Sequence, residues 1–385
     1  MEFGLSEEQK QIRDEVRRFA ENEVAPVAGE HDRAEEYPYD VVEKAAEMGL
    51  TGANIPVEYG GAGYSTLDVA LITEELFAVD PGIALCIVSA GFGTEAIVGF
   101  GTEAQKEEFL EPVARGEKIT GAAISEPDVG SDVSAVSTRA EKDGDEWVLN
   151  GSKMWITNGT VGDYFVVLCQ TDPDAEGRYN GFSQIIVESD RDGFTAEKIT
   201  GKLGIRASDT AELVFDDVRV PAENLVGNRG AGFLQLMQFF DETRTAVAAQ
   251  GIGIAKGATE RALEYAQERE QFGQPIGEFQ AIQHKLADMH TRTEAARQLT
   301  YKSAWSVDNA DEQLTKLASM AKEFASRVAV DVADEAVQIH GGSGYVDDFD
   351  VERFYRDAKI TQIYEGTTEI QKNIIARELM GKGMM

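Results

Sequence analysis

Cysteine is scarce in this chain, which holds only Cys86 and Cys169 among its 385 residues. The two positions lie far apart and form no CxxC pair, so the sequence indicates neither a disulfide framework nor a zinc site. We therefore expect no bound metal, and we expect both thiols to pack as small apolar side chains.

Long apolar runs are missing as well. No stretch approaches the roughly 18 apolar residues that would cross a bilayer. Residues 1–8 also lack the basic segment followed by an apolar one that marks a leader peptide. From these two absences we expect a cytoplasmic protein without a membrane segment.

Basic residues are in short supply, because 36 Lys and Arg stand against 69 Asp and Glu and give a net charge of -33. This charge repels nucleic-acid backbones and anionic lipid headgroups, which argues against both classes of partner. It also opposes compact folding unless concentrated salt screens it, since the screening length falls to about 3 Å near 1 M salt. We hypothesise a halophilic protein from a salt-adapted cytoplasm; the alternative is an ordinary acidic enzyme.

The pattern of apolar residues divides the chain into three parts. Residues 6–9 read as a capping box that opens a helix, and helical periodicity continues to about residue 118. From there to about residue 228, short β-rich runs alternate with Gly and Asp turns. Long helical stripes then return, which is typical of a helix bundle. The sequence therefore predicts a mainly helical α+β fold with an N-terminal α-helical domain (1–118), a central β-domain (119–228) and a C-terminal α-helical bundle (229–385).

A glycine-rich segment mimics a dinucleotide-binding fingerprint and points to a rival, nicotinamide-dependent function. Gly251, Gly253 and Gly257 have suggestive spacing, but a true fingerprint follows a strand and opens a helix. Here the flanking residues continue one helical pattern on both sides. We interpret the glycines as small residues that allow close helix packing.

The segment that says most about chemistry is residues 362–369, in which Glu365 stands between Tyr364 and Gly366. A lone glutamate is usually a solvated surface residue. What gives this one weight is its company in the chain. Three other segments accompany it: Trp155-Ile156-Thr157-Asn158-Gly159, Arg269-Glu270-Gln271-Phe272-Gly273 and Gln338-Ile339-His340-Gly341-Gly342.

Together these segments resemble the acyl-CoA dehydrogenase family of flavoenzymes, and the resemblance runs from Ser6 to Arg377. It implies a C-terminal four-helix bundle, FAD as cofactor, a homotetramer built as a dimer of dimers, and electron-transfer flavoprotein as electron acceptor. It also implies that Glu365 removes the α-proton of an acyl-CoA while a hydride leaves the β-carbon for the flavin, giving a trans-2-enoyl-CoA. Fatty-acid β-oxidation and amino-acid catabolism are the processes it suggests. A carboxylate suits this task when burial raises its pKa.

The resemblance also nominates binding residues. For the flavin ring they are Ala122, Ala123, Ile124, Ser125, Gly130, Ser131, Trp155, Ile156 and Thr157. For the pyrophosphate and adenine half, partly across a subunit boundary, they are Arg269, Phe272, Gln280, Gln338, Ile339, His340, Gly341 and Gly342. For the adenosine half they are Thr367, Thr368 and Glu369. For the acyl-CoA they are Ser131, Asp241, Glu242, Thr243, Arg244 and Gly366.

In the relatives that act on isovaleryl-CoA or on long-chain substrates, the base stands at the position of Thr243. Threonine cannot act as that base. Glu242 is a poor substitute, because it lies about 100° around the helix. The sequence therefore favours a straight-chain or generic acyl-CoA dehydrogenase, with the acyl chain length undetermined.

Three alternatives stay open. An acyl-CoA oxidase would share these residues and pass electrons to oxygen, but such relatives are usually longer. A flavin monooxygenase or nitroalkane oxidase relative would lack the glutamate or carry aspartate. A catalytically silent scaffold protein would lose the base or the flavin contacts, whereas this chain retains Glu365 together with residues 155–157.

Overall fold

The computed structural model describes residues 4–381. Residues 1–3 and 382–385 lie outside the described residues; they are the outer ends of the first and third predicted domains. Residues 1–3 also begin the segment in which we expect no leader peptide. The N-terminal part is helical throughout, with α1 (Glu7–Phe19), a π-helical turn (Ala20–Val24), α2 (Ala28–Ala34), α3 (Tyr39–Glu47), α4 (Thr66–Val79), α5 (Pro81–Val88), α6 (Thr94–Phe100) and α7 (Glu103–Ala114).

The first helix begins with the predicted capping box. The Ser6 hydroxyl accepts a hydrogen bond from the Gln9 amide at 3.1 Å, and the Gln9 side chain accepts one from the Ser6 amide at 3.1 Å. These two bonds satisfy donors that a helix start leaves free. Val16 and Phe19 on the predicted apolar face are buried. The capping-box prediction is confirmed.

The central part is an eight-stranded sheet. Its strands are β1 (Thr120–Ala123), β2 (Arg139–Asp143), β3 (Glu146–Thr157), β4 (Tyr164–Gln170), β5 (Phe182–Glu188), β6 (Phe194–Lys198), β7 (Thr210–Pro221) and β8 (Leu225–Val226). They lie in the order β6-β7-β3-β2-β4-β5-β8, with β1 parallel to β4. Trp147 and Phe165 fill the core of this sheet.

The pairing of β3 with β7 is interrupted by two irregularities, and the second lies between Lys153 and Ile156. A bulge places an extra residue opposite its partner strand and redirects a side chain. Met154 and Trp155 together face one residue of β7 here, and Trp155 has a left-handed φ of 65°. Its indole therefore leaves the sheet instead of joining the core.

The C-terminal part is again helical. It comprises α8 (Gly232–Glu268), a hairpin of β9 (Glu270–Gln271) and β10 (Gln274–Pro275), then α9 (Gln280–Asp308), α10 (Leu314–His340), α11 (Val351–Ala358) and α12 (Thr368–Leu379). Phe77 of α4, Ile252 of α8 and Val328 of α10 belong to one core, so the two helical regions pack together. The predicted fold class is confirmed; the domain boundaries at residues 118 and 228 stay predictions.

The glycines of the rival motif lie inside α8, where they meet α4. A Cβ on Gly253 would lie 2.6 Å from the Glu74 carbonyl oxygen, and one on Gly257 would lie 2.2 Å from that of Ala78. Only hydrogen fits in such contacts, so the glycines permit two helix backbones to approach. The helix-packing interpretation is confirmed.

Cys86 lies in the helical core and Cys169 in the sheet core, and neither side chain reaches solvent. The predicted packing of both thiols as apolar groups is confirmed. Within residues 4–381, no helix combines the length and the apolar character that crossing a membrane requires.

Candidate active site

A cavity of about 1380 Å³ lies where the three parts of the chain meet. The N-terminal region contributes the ends of α4 and α5, the β-domain contributes the loop after β1 and the end of β3, and the C-terminal region contributes α8 and the segment before α12. Ordinary small-molecule pockets measure roughly 300–1,000 Å³. This cavity therefore has room for more than one ligand.

Glu365 projects into this cavity from the segment before α12. Its carboxylate accepts a hydrogen bond at 2.8 Å from the hydroxyl of Thr243 on α8, 122 residues earlier in the chain. Thr243 itself is buried. The two positions at which the resemblance places the base are thus in contact here, and Thr243 orients Glu365.

The backbone at Glu365 is strained. Its φ is 50° and that of Gly366 is 88°, both in the left-handed region. Glycine suits this turn because it adopts a positive φ without strain, and a Cβ at Gly366 would also lie 2.6 Å from the side-chain nitrogen of Gln371. Strain of this kind persists where the surroundings fix it and is found mainly at functional sites.

Burial raises the pKa of Glu365, while the Thr243 hydroxyl and the charges of Lys322 and Arg244 act in the opposite direction. Desolvation penalises the charged form, and hydrogen bonds or nearby cations favour it. The balance leaves a carboxylate that is a stronger base than one in water. This property suits proton abstraction from carbon.

The predicted flavin-ring residues lie together on the β-domain side of the cavity. Those that line it are Ala122, Ile124, Ser125, Gly130, Ser131, Trp155, Ile156 and Thr157. Trp155 is 63% exposed, so it is not a buried strand tryptophan and its indole is free to cover a planar ligand. Ala123 does not line the cavity, because its side chain faces the sheet core, and its assignment stays a prediction. Alternation along β1 turns it away from the cavity.

A buried ion pair fastens the loop after β1 to the sheet. Lys153 of β3 donates to Glu126 at 3.0 Å and to the Ile124 carbonyl at 2.9 Å. Glu126 also accepts from the amides and hydroxyls of Ser137 and Thr138. Burial would raise the pKa of Glu126, but Lys153 and these donors lower it to about 2.

The nominated acyl-CoA residues on α8 lie at the cavity wall. Arg244 is buried and donates to Asp241 at 2.5 Å, and Asp241 also accepts from the Thr315 hydroxyl at 2.7 Å. The Nε atom of Arg244 is buried and has no hydrogen-bond partner among the described residues. It is therefore a donor available to a ligand. Glu242 is exposed, in agreement with its position around the helix.

A second group of nominated residues lies away from the cavity in the single chain. Arg269, Gln280, Gln338, Gly341 and Gly342 are exposed, and Phe272, at the tip of the β9–β10 hairpin, is 95% exposed. Ile339 and His340 are buried, with the His340 ring stacked on Tyr265. None of these residues lines the cavity that the described chain forms. Their assignment to the cofactor stays a prediction that involves a second subunit.

The three nominated residues after Gly366 differ in position. Thr367 lines the cavity and caps α12. Thr368 and Glu369 do not line the cavity, so their assignment to the adenosine half stays a prediction. The Thr368 side chain is buried against the Gln362 carbonyl, and Glu369 is exposed in the first turn of α12, where an acid favours the positive helix end.

Sequence reasoning missed two ionisable residues near Glu365. Lys322 of α10 is fully buried beneath Gly366, and Glu95 lines the cavity. Burial raises the pKa of Glu95 to about 7, although backbone amides favour its charged form. A lysine among the alanines of an apolar helical stripe was a usable signal for Lys322. The sequence around Glu95 holds no such signal.

Three family models match the chain: the N-terminal domain of acyl-CoA dehydrogenase over residues 6–117, the middle domain over residues 121–218 and the C-terminal domain over residues 230–380. The chain belongs to the acyl-CoA dehydrogenase family. It is accordingly an oxidoreductase, and FAD is its cofactor.

Relatives of known description agree with this family. The short-chain specific acyl-CoA dehydrogenase of Clostridium acetobutylicum is 45% identical, with 98% of this chain and 100% of that protein covered. The solved structure of butyryl-CoA dehydrogenase from Megasphaera elsdenii matches with a TM-score of 0.94 at 41% identity, and the match covers 99% of this chain and 100% of that chain. A third match is a chain from a structure described as the electron transferring flavoprotein of Acidaminococcus fermentans. Its TM-score is 0.95 at 43% identity, and the match covers 99% of this chain and 100% of that chain.

The residues of this acyl-CoA dehydrogenase fit FAD. The cavity pairs a projecting indole with the small side chains of the loop after β1, which let backbone groups approach a polar ring system. The Thr51 hydroxyl lines the cavity, is buried, and has no partner within residues 4–381. The half-buried Thr157 side chain, which also lines the cavity, makes no hydrogen bond within the described residues. Buried polar groups are normally satisfied, so a polar ligand suits this surface.

Proposed function

We propose that this protein dehydrogenates the α,β-bond of an acyl-CoA thioester to give a trans-2-enoyl-CoA, with Glu365 as the base. The observation that carries the proposal is that Glu365 lines the same cavity as Trp155, with its carboxylate hydrogen-bonded to the Thr243 hydroxyl. A silent scaffold would have no reason to maintain a half-buried carboxylate on a strained backbone.

The chain's own residues divide the work. Glu365 takes the α-proton, and its backbone N–H lies on the same turn, available to the thioester oxygen. The free Nε of Arg244 and the hydroxyl of Ser131 are placed to bind the CoA portion. Residues 122–131 and 155–157 would hold FAD, which would supply the acceptor for the hydride that leaves the β-carbon. The remaining cofactor contacts come from the exposed second group on a neighbouring subunit, within a homotetramer.

We further propose electron-transfer flavoprotein as the acceptor and a short straight-chain acyl-CoA as the substrate, in cytoplasmic fatty-acid β-oxidation or amino-acid catabolism. The support comes from relatives: one is described as short-chain specific, another as butyryl-CoA dehydrogenase, and a third belongs to a structure described by its electron transferring flavoprotein. An acyl-CoA oxidase would share the residues of the site, so its exclusion needs an experiment.

The purified protein is expected to be yellow and to lose its yellow absorbance when anaerobic butyryl-CoA is added. Reoxidation should then be fast with electron-transfer flavoprotein and slow with air. Stopped-flow absorbance measures both steps, and octanoyl-CoA and isovaleryl-CoA serve as comparison substrates. Rapid reoxidation by air alone would identify an oxidase, and absence of bleaching by every acyl-CoA would contradict the proposed function.

The halophilic hypothesis predicts that stability rises with salt. With a net charge of -33, raising KCl from 0.1 M to 2 M should raise the unfolding midpoint by several degrees, because screening weakens the repulsion among acidic groups. Sucrose at matched water activity is the control, since it does not screen charge, and its effect should be smaller. Equal midpoints in dilute buffer and in molar KCl would refute the hypothesis.

A further inference from the structure

A buried lysine lies directly beneath the turn that carries Glu365. Lys322 stands in the middle of α10 with no exposed surface, among the buried residues Ala318, Ala321 and Ala325. Its ammonium group donates to the Gly366 carbonyl at 2.6 Å. Burying a charge costs free energy that an apolar side chain would avoid. A lysine at this position therefore calls for a reason beyond packing.

The hydrogen bonds around the turn give the first part of that reason. The Gln371 side-chain amide of α12 donates to the carbonyls of Glu365 and Gly366 at 3.1 and 3.0 Å. Lys322 donates to the same Gly366 carbonyl from α10. Two helices thus hold the backbone of a left-handed turn, while Thr243 of α8 holds the carboxylate.

The charges that face Glu365 give the second part. Arg244 approaches from α8, but it already pairs with Asp241. Glu95 lies at the start of α6, and the charge of Glu365 contributes to raising the pKa of Glu95. Lys322 forms no ion pair within 4.0 Å among the described residues, so its charge is available to act on Glu365.

Glu369 at the start of α12 also influences this lysine. Burial lowers the pKa of Lys322 to about 8, and the charges of Glu365 and Glu369 act against that decrease. The ammonium form therefore persists at neutral pH.

We propose that Lys322 is a positioning residue for the reaction, whose buried ammonium group holds the Glu365-Gly366 turn in place and keeps the Glu365 carboxylate ionised at neutral pH. The inference rests on the proposed function, in which Glu365 is the base. Loss of the cation removes one of the influences that hold down the pKa of Glu365, so this pKa must rise.

The test compares Lys322→Met, Lys322→Gln and Lys322→Arg. The acid limb of the pH profile of kcat/KM for butyryl-CoA should move up by about one pH unit in the Met and Gln variants, and the Arg variant should retain the parental limb. Gln keeps a donor for the Gly366 carbonyl without the charge, so it separates the two roles even if the Met variant does not fold. Lys256→Met is the matched control, because Lys256 pairs with buried Glu75 outside the cavity; its acid limb should not move.

A second readout does not depend on activity. We expect the unfolding midpoints to be non-additive: the double variant Lys322→Met, Glu365→Gln should lose less than the sum of the decreases in the two single variants. Unchanged acid limbs in both uncharged variants together with additive midpoints would overturn the proposal. Normal flavin bleaching by Glu365→Gln would instead refute the base assignment, so the two failures are distinguishable.

Discussion

Replacing Glu365 by Gln is expected to lower the rate of flavin bleaching by butyryl-CoA by about 10⁴-fold, the upper range for loss of a positioned general base. Gln preserves the size of the side chain and a carbonyl oxygen that still accepts from Thr243. It cannot take a proton from carbon. The chemistry should therefore fail while the architecture of the cavity persists, which anaerobic stopped-flow absorbance measures directly.

The controls for this prediction are in the same cavity. The Glu365→Gln protein should remain yellow and keep the parental flavin content, because Glu365 is not among the residues nominated for FAD. Glu242→Gln is the comparison variant, because this exposed carboxylate lies one residue from Thr243 on α8 and lines the same cavity; it should slow bleaching far less than Glu365→Gln does. Parental bleaching by Glu365→Gln, or near-complete loss in Glu242→Gln, would reassign the base.

Periodicity and turn chemistry predicted the architecture well, because each signal is local. The capping box at Ser6 and the apolar stripes of α9 and α10 depend on residues within a few positions of one another. The same holds for the small-residue face of α8, where glycine spacing alone suggested a dinucleotide site and the helical context corrected it.

The details of the site were less accessible, because they depend on long-range contacts and irregular backbone. Strand periodicity does not show that a bulge and a positive φ turn the indole of Trp155 out of the sheet and into the cavity. The contact of Thr243 with Glu365 joins segments 122 residues apart, and Lys322 meets Gly366 across 44 residues. No local pattern encodes such pairs. Arg269 and Phe272 cannot be placed against the cavity by one chain at all.

Replacing Lys153 by Met is expected to cost about 3–5 kcal/mol of stability, because it leaves the buried carboxylate of Glu126 without its cation. For a chain of this length the unfolding midpoint should fall by roughly 5 °C. The loop after β1 should also loosen, since Lys153 holds the Ile124 carbonyl beside the cavity. Differential scanning fluorimetry in molar KCl and the flavin content of the purified variant measure the two effects.

The pH dependence of stability provides the sharper test of this pair. Because the pKa of Glu126 falls from 4.5 in its unperturbed state to about 2 in the folded protein, it stabilises the fold above pH 4.5 and loses that contribution as the pH falls toward 2. Lys153→Met raises the folded-state pKa of Glu126 and should therefore flatten the dependence of stability on pH in acid.

Lys142→Met is the control, because Lys142 is exposed, and it should change stability by under about 1 kcal/mol. In the double variant Glu126→Gln, Lys153→Met, the loss should be smaller than the sum of the two single losses, because neither charge is then left unpaired. An additive loss, with the acid slope intact in Lys153→Met, would show that the two side chains act independently and that the loop is held by the Ser137 and Thr138 donors alone.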